Sequence, residues 1–415
     1  MKTSIIKYIS ITLLMMISII ACDDIVTYDD DFVDETISNG PPVITRVSPV
    51  ENPDQDTTQG GFNQMVIIHG ENLSKVTSIK FNDQSVDTEE IYATYSRIVV
   101  AIPGNIPDEI TNKVVVTTEK GETEFPFKVT FPDFIVNGFS FEFGNDGDTI
   151  SILGENLLLY DLTAEKGDIR VNGTPATIVS TTEREVKIIL PTGTIDNSKI
   201  TLSSPRILAV LGEEPIELTY RDPGFRIVDI GPNFMTNPWT SRFATDGMQE
   251  GDPKPISPGT CFSRIKGTVG GYSTNITIHN YPFDAPTSNP FFADMKANPQ
   301  DYEIKYELLV KSAFPIIAPQ DRITLQINSL RAMPVLEREW HPARSGVAYH
   351  TDDKWITQTF NVDLIKNATG GYPVMESGNT FTYAYVHAVG TVVPTDFSMT
   401  NLRFAKKINI VRKQL

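Results

Sequence analysis

The chain is poor in cysteine, histidine and tryptophan: its 415 residues hold two, five and three of them. The cysteines, Cys22 and Cys261, form no CxxC motif and no Cys/His cluster, so a structural zinc site is not expected. No HExxH sequence and no nucleophile elbow occurs. Basic charge is also short, 35 Lys and Arg against 52 Asp and Glu, for a net charge of −17. Such a surface repels phosphate backbones, which argues against nucleic acid as a partner and leaves neutral ligands compatible. No apolar run after residue 21 is long enough to span a bilayer, and the one before it, Tyr8 to Ala21, is too short to span comfortably. The acidic run Asn145-Asp146-Gly147-Asp148 lacks the remaining carboxylates of a calcium loop and is expected to be a turn. Neither a metal nor a cofactor is expected.

What the chain does have starts at its beginning. Lys2 and Lys7 precede an apolar stretch that ends in small residues, the pattern of an export signal over residues 1–21. Its close, Ile19-Ile20-Ala21-Cys22, resembles a bacterial lipobox. The resemblance implies cleavage before Cys22, acylation of that cysteine, and a protein held to a membrane by lipid chains while its polypeptide stays in water. An acylated Cys22 leaves Cys261 without a partner, as a small buried apolar residue. Residues 22–41, with Asp23, Asp24 and Asp29 to Asp31, have no sustained periodicity and read as an acidic flexible tether. Acid just after the cysteine also resembles the surface-export signal of Bacteroidetes lipoproteins.

From residue 42 to 224, β-branched runs of strand length alternate with Gly, Asn, Asp and Pro, which predicts all-β sandwiches. A repeat is visible. Ile67-Ile68-His69-Gly70-Glu71-Asn72-Leu73 recurs as Ser151-Ile152-Leu153-Gly154-Glu155-Asn156-Leu157. Each copy is followed by a strand with a tight turn and then by a strand closing on proline, Pro103 or Pro191. With the opening Pro42-Val43-Ile44-Thr45-Arg46-Val47-Ser48-Pro49, the pattern resembles the IPT/TIG family of immunoglobulin-like domains. The resemblance implies two such sandwiches, 42–131 and 132–224, that act as spacers.

Residues 225–415 are expected to form a larger, jelly-roll-like β-sandwich. In Tyr302–Leu308 the apolar Tyr302, Ile304, Tyr306 and Leu308 alternate with Glu303, Lys305 and Glu307, which predicts a half-buried strand with a charged solvent face. Phe381, Tyr383, Tyr385 and His387 form a stripe that reads as core before it reads as a binding face. All three tryptophans lie here: Trp239, Trp340 and Trp355. Alternation puts Trp355 with Thr357, Thr359 and Asn361 on a solvated face, where a bare aromatic calls for a ligand. A sugar suits such a platform, with its face of C–H groups and its rim of hydroxyls.

Arg338-Glu339-Trp340-His341-Pro342, Tyr349-His350-Thr351 and Lys354-Trp355-Ile356-Thr357 resemble the C-terminal domain of Bacteroidetes surface glycan-binding lipoproteins. The resemblance implies a non-catalytic protein, lipid-anchored in the outer membrane and facing the exterior. It implies a polysaccharide ligand of the β-glucan, xyloglucan or mannan class, bound through Trp340, Trp355, Trp239 and Tyr349. It also implies an outer-membrane porter complex and surface glycoside hydrolases as partners. Two alternatives stay open: a glycoside hydrolase using carboxylates such as Glu337, Glu339, Asp352 or Asp353, and a surface adhesin.

Overall fold

A computed structural model describes residues 38–212, 214–227, 241–244, 250–257, 259–269, 274–283, 289–329, 336–362 and 379–414. Within these, only the strand course is described at 241–244, 274–283, 326–329, 336–338 and 379–384. The chain divides into two compact units, Met1–Pro132 and Asp133–Leu415.

The first unit is an immunoglobulin-like sandwich. Its strands are β1 (Val43–Pro49), β2 (Gln59–Gly61), β3 (Met65–Glu71), β4 (Val76–Phe81), β5 (Gln84–Ser85), β6 (Tyr92–Ala93), β7 (Arg97–Ala101), β8 (Lys113–Thr118), β9 (Gly121–Pro126) and β10 (Lys128–Thr130). One sheet runs β1-β3-β7-β6 and the other β5-β4-β8-β9, with a parallel pair β10-β2 beside them. Alternation sets the faces: in β8 Val114, Val116 and Thr118 point inward, and Lys113, Val115 and Thr117 lie nearer the surface.

The second unit opens with a sandwich of the same plan. Its strands are β11 (Phe134–Phe139), β12 (Thr149–Glu155), β13 (Asp168–Val171), β14 (Thr174–Pro175), β15 (Thr177–Thr181), β16 (Glu185–Ile189), β17 (Ser198–Ser203) and β18 (Ile216–Tyr220). The order β11-β12-β16-β15 repeats β1-β3-β7-β6, and β14-β13-β17-β18 repeats β5-β4-β8-β9. The Gly-Glu-Asn-Leu motif does the same work in both copies. A Cβ on Gly70 would stand 1.8 Å from the Val43 carbonyl oxygen, and one on Gly154 2.1 Å from that of Ile135, so only glycine lets the paired strands close. Asn72 and Asn156 then turn the chain at φ of 57° and 62°. Their side-chain amides donate to the carbonyls of Pro41 and Asp133, tying the motif to the entering strand. Leu73 and Leu157 drop fully into their cores.

The acidic run at Asn145 is a turn. The Asp146 carboxylate accepts from the amides of Gly193 and Thr194, and that of Asp148 from the amide of Asn145. Those backbone bonds hold the Asp146 carboxyl below its usual range.

Two facing sheets make up the rest. The strands are β19 (Phe225–Arg226), β20 (Ser241–Ala244), β21 (Phe262–Val269), β22 (Thr274–Phe283), β23 (Tyr302–Val310), β24 (Arg322–Ser329), β25 (Leu336–Trp340), β26 (Ile356–Asn361), β27 (Asn379–His387), β28 (Val393–Lys406) and β29 (Ile410–Arg412). The larger sheet runs β20-β21-β28-β23-β26, with β19 also on β28, and the smaller β22-β27-β24-β25. Between them lie Tyr302, Ile304, Tyr306 and Leu308 of β23, Phe397 and Phe404 of β28, and Ile323 and Leu325 of β24. A helix, Pro290–Ala297, is capped by the Asn289 side chain and buries Phe292 and Met295 against this core.

The last strand leaves this sandwich. β29 pairs antiparallel with β11, extending the sheet of the preceding one. The other face of β23 is not solvated as alternation suggests: Lys305 is 3% and Glu307 0% exposed. The connection between β11 and β12 covers it, so these charges lie in a junction and must find partners there. The Glu142 carboxylate lies 2.6 Å from both Lys305 Nζ and Arg403 Nη2, and Arg403 Nη1 bridges both oxygens of Glu307 at 3.0 and 3.1 Å. Phe143 lies under the Arg403 guanidinium, 4.8 Å from ring centre to Cζ.

Candidate functional site

Three connections leave the smaller sheet at one end. They are 311–321 between β23 and β24, 341–355 between β25 and β26, and 388–392 between β27 and β28. Strand register puts Tyr385, Ile323 and Trp340 in one row at this end, on adjacent strands and on the inner face. Trp340 closes the row as the last residue of an edge strand, half-buried and packed against the core. Tyr349, from the neighbouring connection, meets it edge-on, with ring centres 5.1 Å apart at 86°. Burial pushes the Tyr349 phenol up to about 12, so it stays a neutral donor.

The connections are fastened to one another. Ile316 and Tyr349 exchange both backbone hydrogen bonds, at 2.9 and 2.8 Å. The Thr351 hydroxyl accepts from the Val310 amide, and the Asp353 carboxylate accepts from the amide and hydroxyl of Ser312. These bonds to Ser312 hold the Asp353 carboxyl below its usual range, opposite to what a general acid needs. Glu339 is engaged as well, 2.6 Å from Arg322 Nε and 3.2 Å from His341 Nε2. Phe314, Ile317, Val347 and Val392 are exposed on the three connections and give this end an apolar rim.

Beneath the row lies a buried polar cluster. Asp321 accepts from the Tyr385 hydroxyl at 2.9 Å and from the Ala388 amide at 3.3 Å, and its Oδ1 lies 2.8 Å from His387 Nδ1. His387 Nε2 lies 2.8 Å from the Thr391 carbonyl oxygen, which holds the third connection down. Tyr385 and His387, expected as the end of a core stripe, are buried. The side chains of Phe381 and Tyr383 lie outside the described residues.

The structure brings Trp340 and Tyr349 together and sets Trp355 apart. Trp355 precedes β26, on the larger sheet. Its indole N–H donates to the Lys254 carbonyl at 2.7 Å, and its ring meets Phe262 edge-on at 5.7 Å, leaving it half-buried. The face expected to be solvated belongs in part to the junction, where the Thr357 hydroxyl accepts from the Glu142 amide and donates to Glu307. Trp239 and Cys22 lie outside the described residues. Cys261 is buried, as expected.

In the sequence Glu339 and His341 stand out through a motif, and Glu339 also as a candidate carboxylate, whereas Arg322, Asp321 and the apolar rim carry no local signal. Their grouping arises from register across β27, β24 and β25, and no local pattern carries that.

Comparison with known proteins bears on this geometry. Residues 220–406 match the family model of the surface glycan-binding protein B xyloglucan binding domain, and residues 42–131 that of the IPT/TIG domain. The chain thus carries a surface glycan-binding protein B xyloglucan binding domain and an IPT/TIG domain. An IPT/TIG domain-containing protein of Bacteroides ovatus is 25% identical to this chain over 286 residues, 66% of this chain and 54% of that one. The chain thus spans about half the length of that relative. A crystal structure of a surface glycan-binding protein from Prevotella bryantii aligns with a TM-score of 0.58 at 17% identity, covering 88% of this chain and 99% of that one. At that identity the likeness concerns the fold, an all-β string of sandwiches.

Proposed function

We propose that this chain is a non-catalytic glycan-capturing protein that binds polysaccharide at the loop end of its terminal sandwich. The observation that carries the reading is the Trp340–Tyr349 pair, half-buried, with Trp340 at the end of β25 and Tyr349 on a connection hydrogen-bonded to its neighbour. A rigid aromatic pair takes the C–H face of a sugar ring. Because the frame is fixed beforehand, little ordering cost is left for binding. The matched domain model points to xyloglucan as the first β-glucan to test.

Cys22 carries the anchor in this reading, residues 22–41 the tether, and the two immunoglobulin-like sandwiches the spacers. The protein then stands on the outer surface, passing glycan to an outer-membrane porter and to surface hydrolases. Single contacts of this kind are weak, and many anchored copies on one polymer gain by avidity. Labelling of the expressed chain with a fatty-acid analogue tests the anchor: wild type is expected to label and Cys22→Ala is not. Labelling of both would remove Cys22 from the account.

A further inference from the structure

A second recess lies where the preceding sandwich meets the terminal one, lined by residues other than those of the loop end. It is a cleft of about 520 Å³, within the range of about 300–1,000 Å³ usual for small-molecule sites. One wall is β18 with the link that follows it, contributing Glu217, Thr219 and Asp222. The other is the segment joining β28 to β29, with Lys406, Lys407 and Asn409, and Phe291 faces in from the helix.

Both walls are held in place. β29 is hydrogen-bonded to β11, Glu142 is paired with Lys305 and Arg403, and Gly224 lies so close to β28 that a Cβ would stand 2.1 Å from the Phe404 carbonyl oxygen. The cleft is therefore preformed, not a gap between two freely moving bodies.

Its chemistry is sign-balanced. Three carboxylates, Glu142, Glu217 and Asp222, face three ammonium groups, Lys305, Lys406 and Lys407, so the lining has no net charge to select an ion. Four of the six already have partners: Glu142 and Lys305 pair with each other at 2.6 Å, and Glu217 pairs with Lys199 and Lys406 with Asp294, each at 2.8 Å. What the cleft offers is a mixture of donors and acceptors beside a half-accessible phenyl ring, which suits a neutral polyhydroxylated ligand.

We propose that this cleft is a second glycan subsite, taking a neutral oligosaccharide segment independently of the loop end. The ligand class rests on the function proposed above.

Isothermal titration calorimetry of the whole mature chain with xyloglucan oligosaccharides tests this. Wild type is expected to bind two oligosaccharides, Trp340→Ala to keep the cleft event alone, and Asn409→Trp, which fills the cleft, to keep the loop-end event alone. Thr219→Tyr fills the cleft from the opposite wall and serves if Asn409→Trp lowers the melting temperature. A wild-type stoichiometry of one that neither cleft variant changes would overturn the proposal, as would loss of all binding in Trp340→Ala. If Trp340→Ala binds as wild type does and the cleft variants do not bind, the cleft stands and the loop-end reading falls. A wild type that binds neither xyloglucan, mixed-linkage glucan nor mannan oligosaccharides overturns both.

Discussion

Four charged side chains at the junction, Glu142, Lys305, Glu307 and Arg403, are each 4% exposed or less. Taking charges out of water is tolerable here because each faces an opposite one, although Arg403 Nε is left without a hydrogen-bond acceptor among the described residues. Burial pushes the Glu142 carboxyl up, but Lys305 and Arg403 outweigh it and hold it below its usual range. Burial pushes Glu307 up to about 7, Arg403 opposing and Glu142 adding. Glu303, beside them, is also raised by burial. The two directions have opposite consequences. The contribution of Glu142 is present above the ordinary carboxyl value and is lost as pH falls through its depressed value. That of Glu307 is present below its ordinary value and is lost as pH rises through about 7. The melting temperature of Asp133–Leu415 is therefore expected to peak near pH 5 and decline towards pH 8, read by calorimetry across that range. Glu307→Gln is expected to flatten the alkaline decline; an unchanged slope would remove Glu307 as its cause. Glu142→Ala leaves Lys305 and part of Arg403 without their partner and is expected to cost about 3–5 kcal/mol.

At the scale of elements, the sandwiches were legible wherever a local rule dictates geometry. The Gly-Glu-Asn-Leu motif shows in sequence because strand closure demands glycine and the turn demands a residue at ease at positive φ. Gly154→Ala is expected to destabilise by more than about 3 kcal/mol, since the new methyl would meet backbone and not a yielding side chain. Chemical denaturation measures it, and a loss under about 1 kcal/mol would contradict the role given to the motif. The charged face of β23 was misread because alternation shows which residues share a face and not what covers that face. Trp355 shows the same limit: of its polar neighbours on β26, Thr357 serves the junction, while Thr359 and Asn361 stay exposed. β29 carried no signal, since three residues of any sheet-compatible type can pair with an open edge. Ending the chain after Asn409 removes it and leaves β11 an edge. The expected result is a melting temperature several degrees lower for the second unit, with Met1–Pro132 unaffected. Equal melting would show that β29 contributes nothing to the junction.

At the scale of the molecule, the second unit is one body built from two sandwiches, joined by buried ion pairs and by a strand that returns from the chain's end. Its order sets the terminal sandwich after two immunoglobulin-like sandwiches, beyond the anchor proposed at Cys22. That placement suits capture of a large ligand outside the cell, and it makes the Trp340–Tyr349 pair the centre of the account. The most direct test is affinity electrophoresis of wild type and Trp340→Ala through gels containing xyloglucan, with circular dichroism to check the fold. Wild type is expected to be strongly retarded, and Trp340→Ala to run at least tenfold less retarded, equivalent to about 1.4 kcal/mol of binding. Equal retardation of the two folded proteins would contradict the assignment of glycan capture to this end of the sandwich.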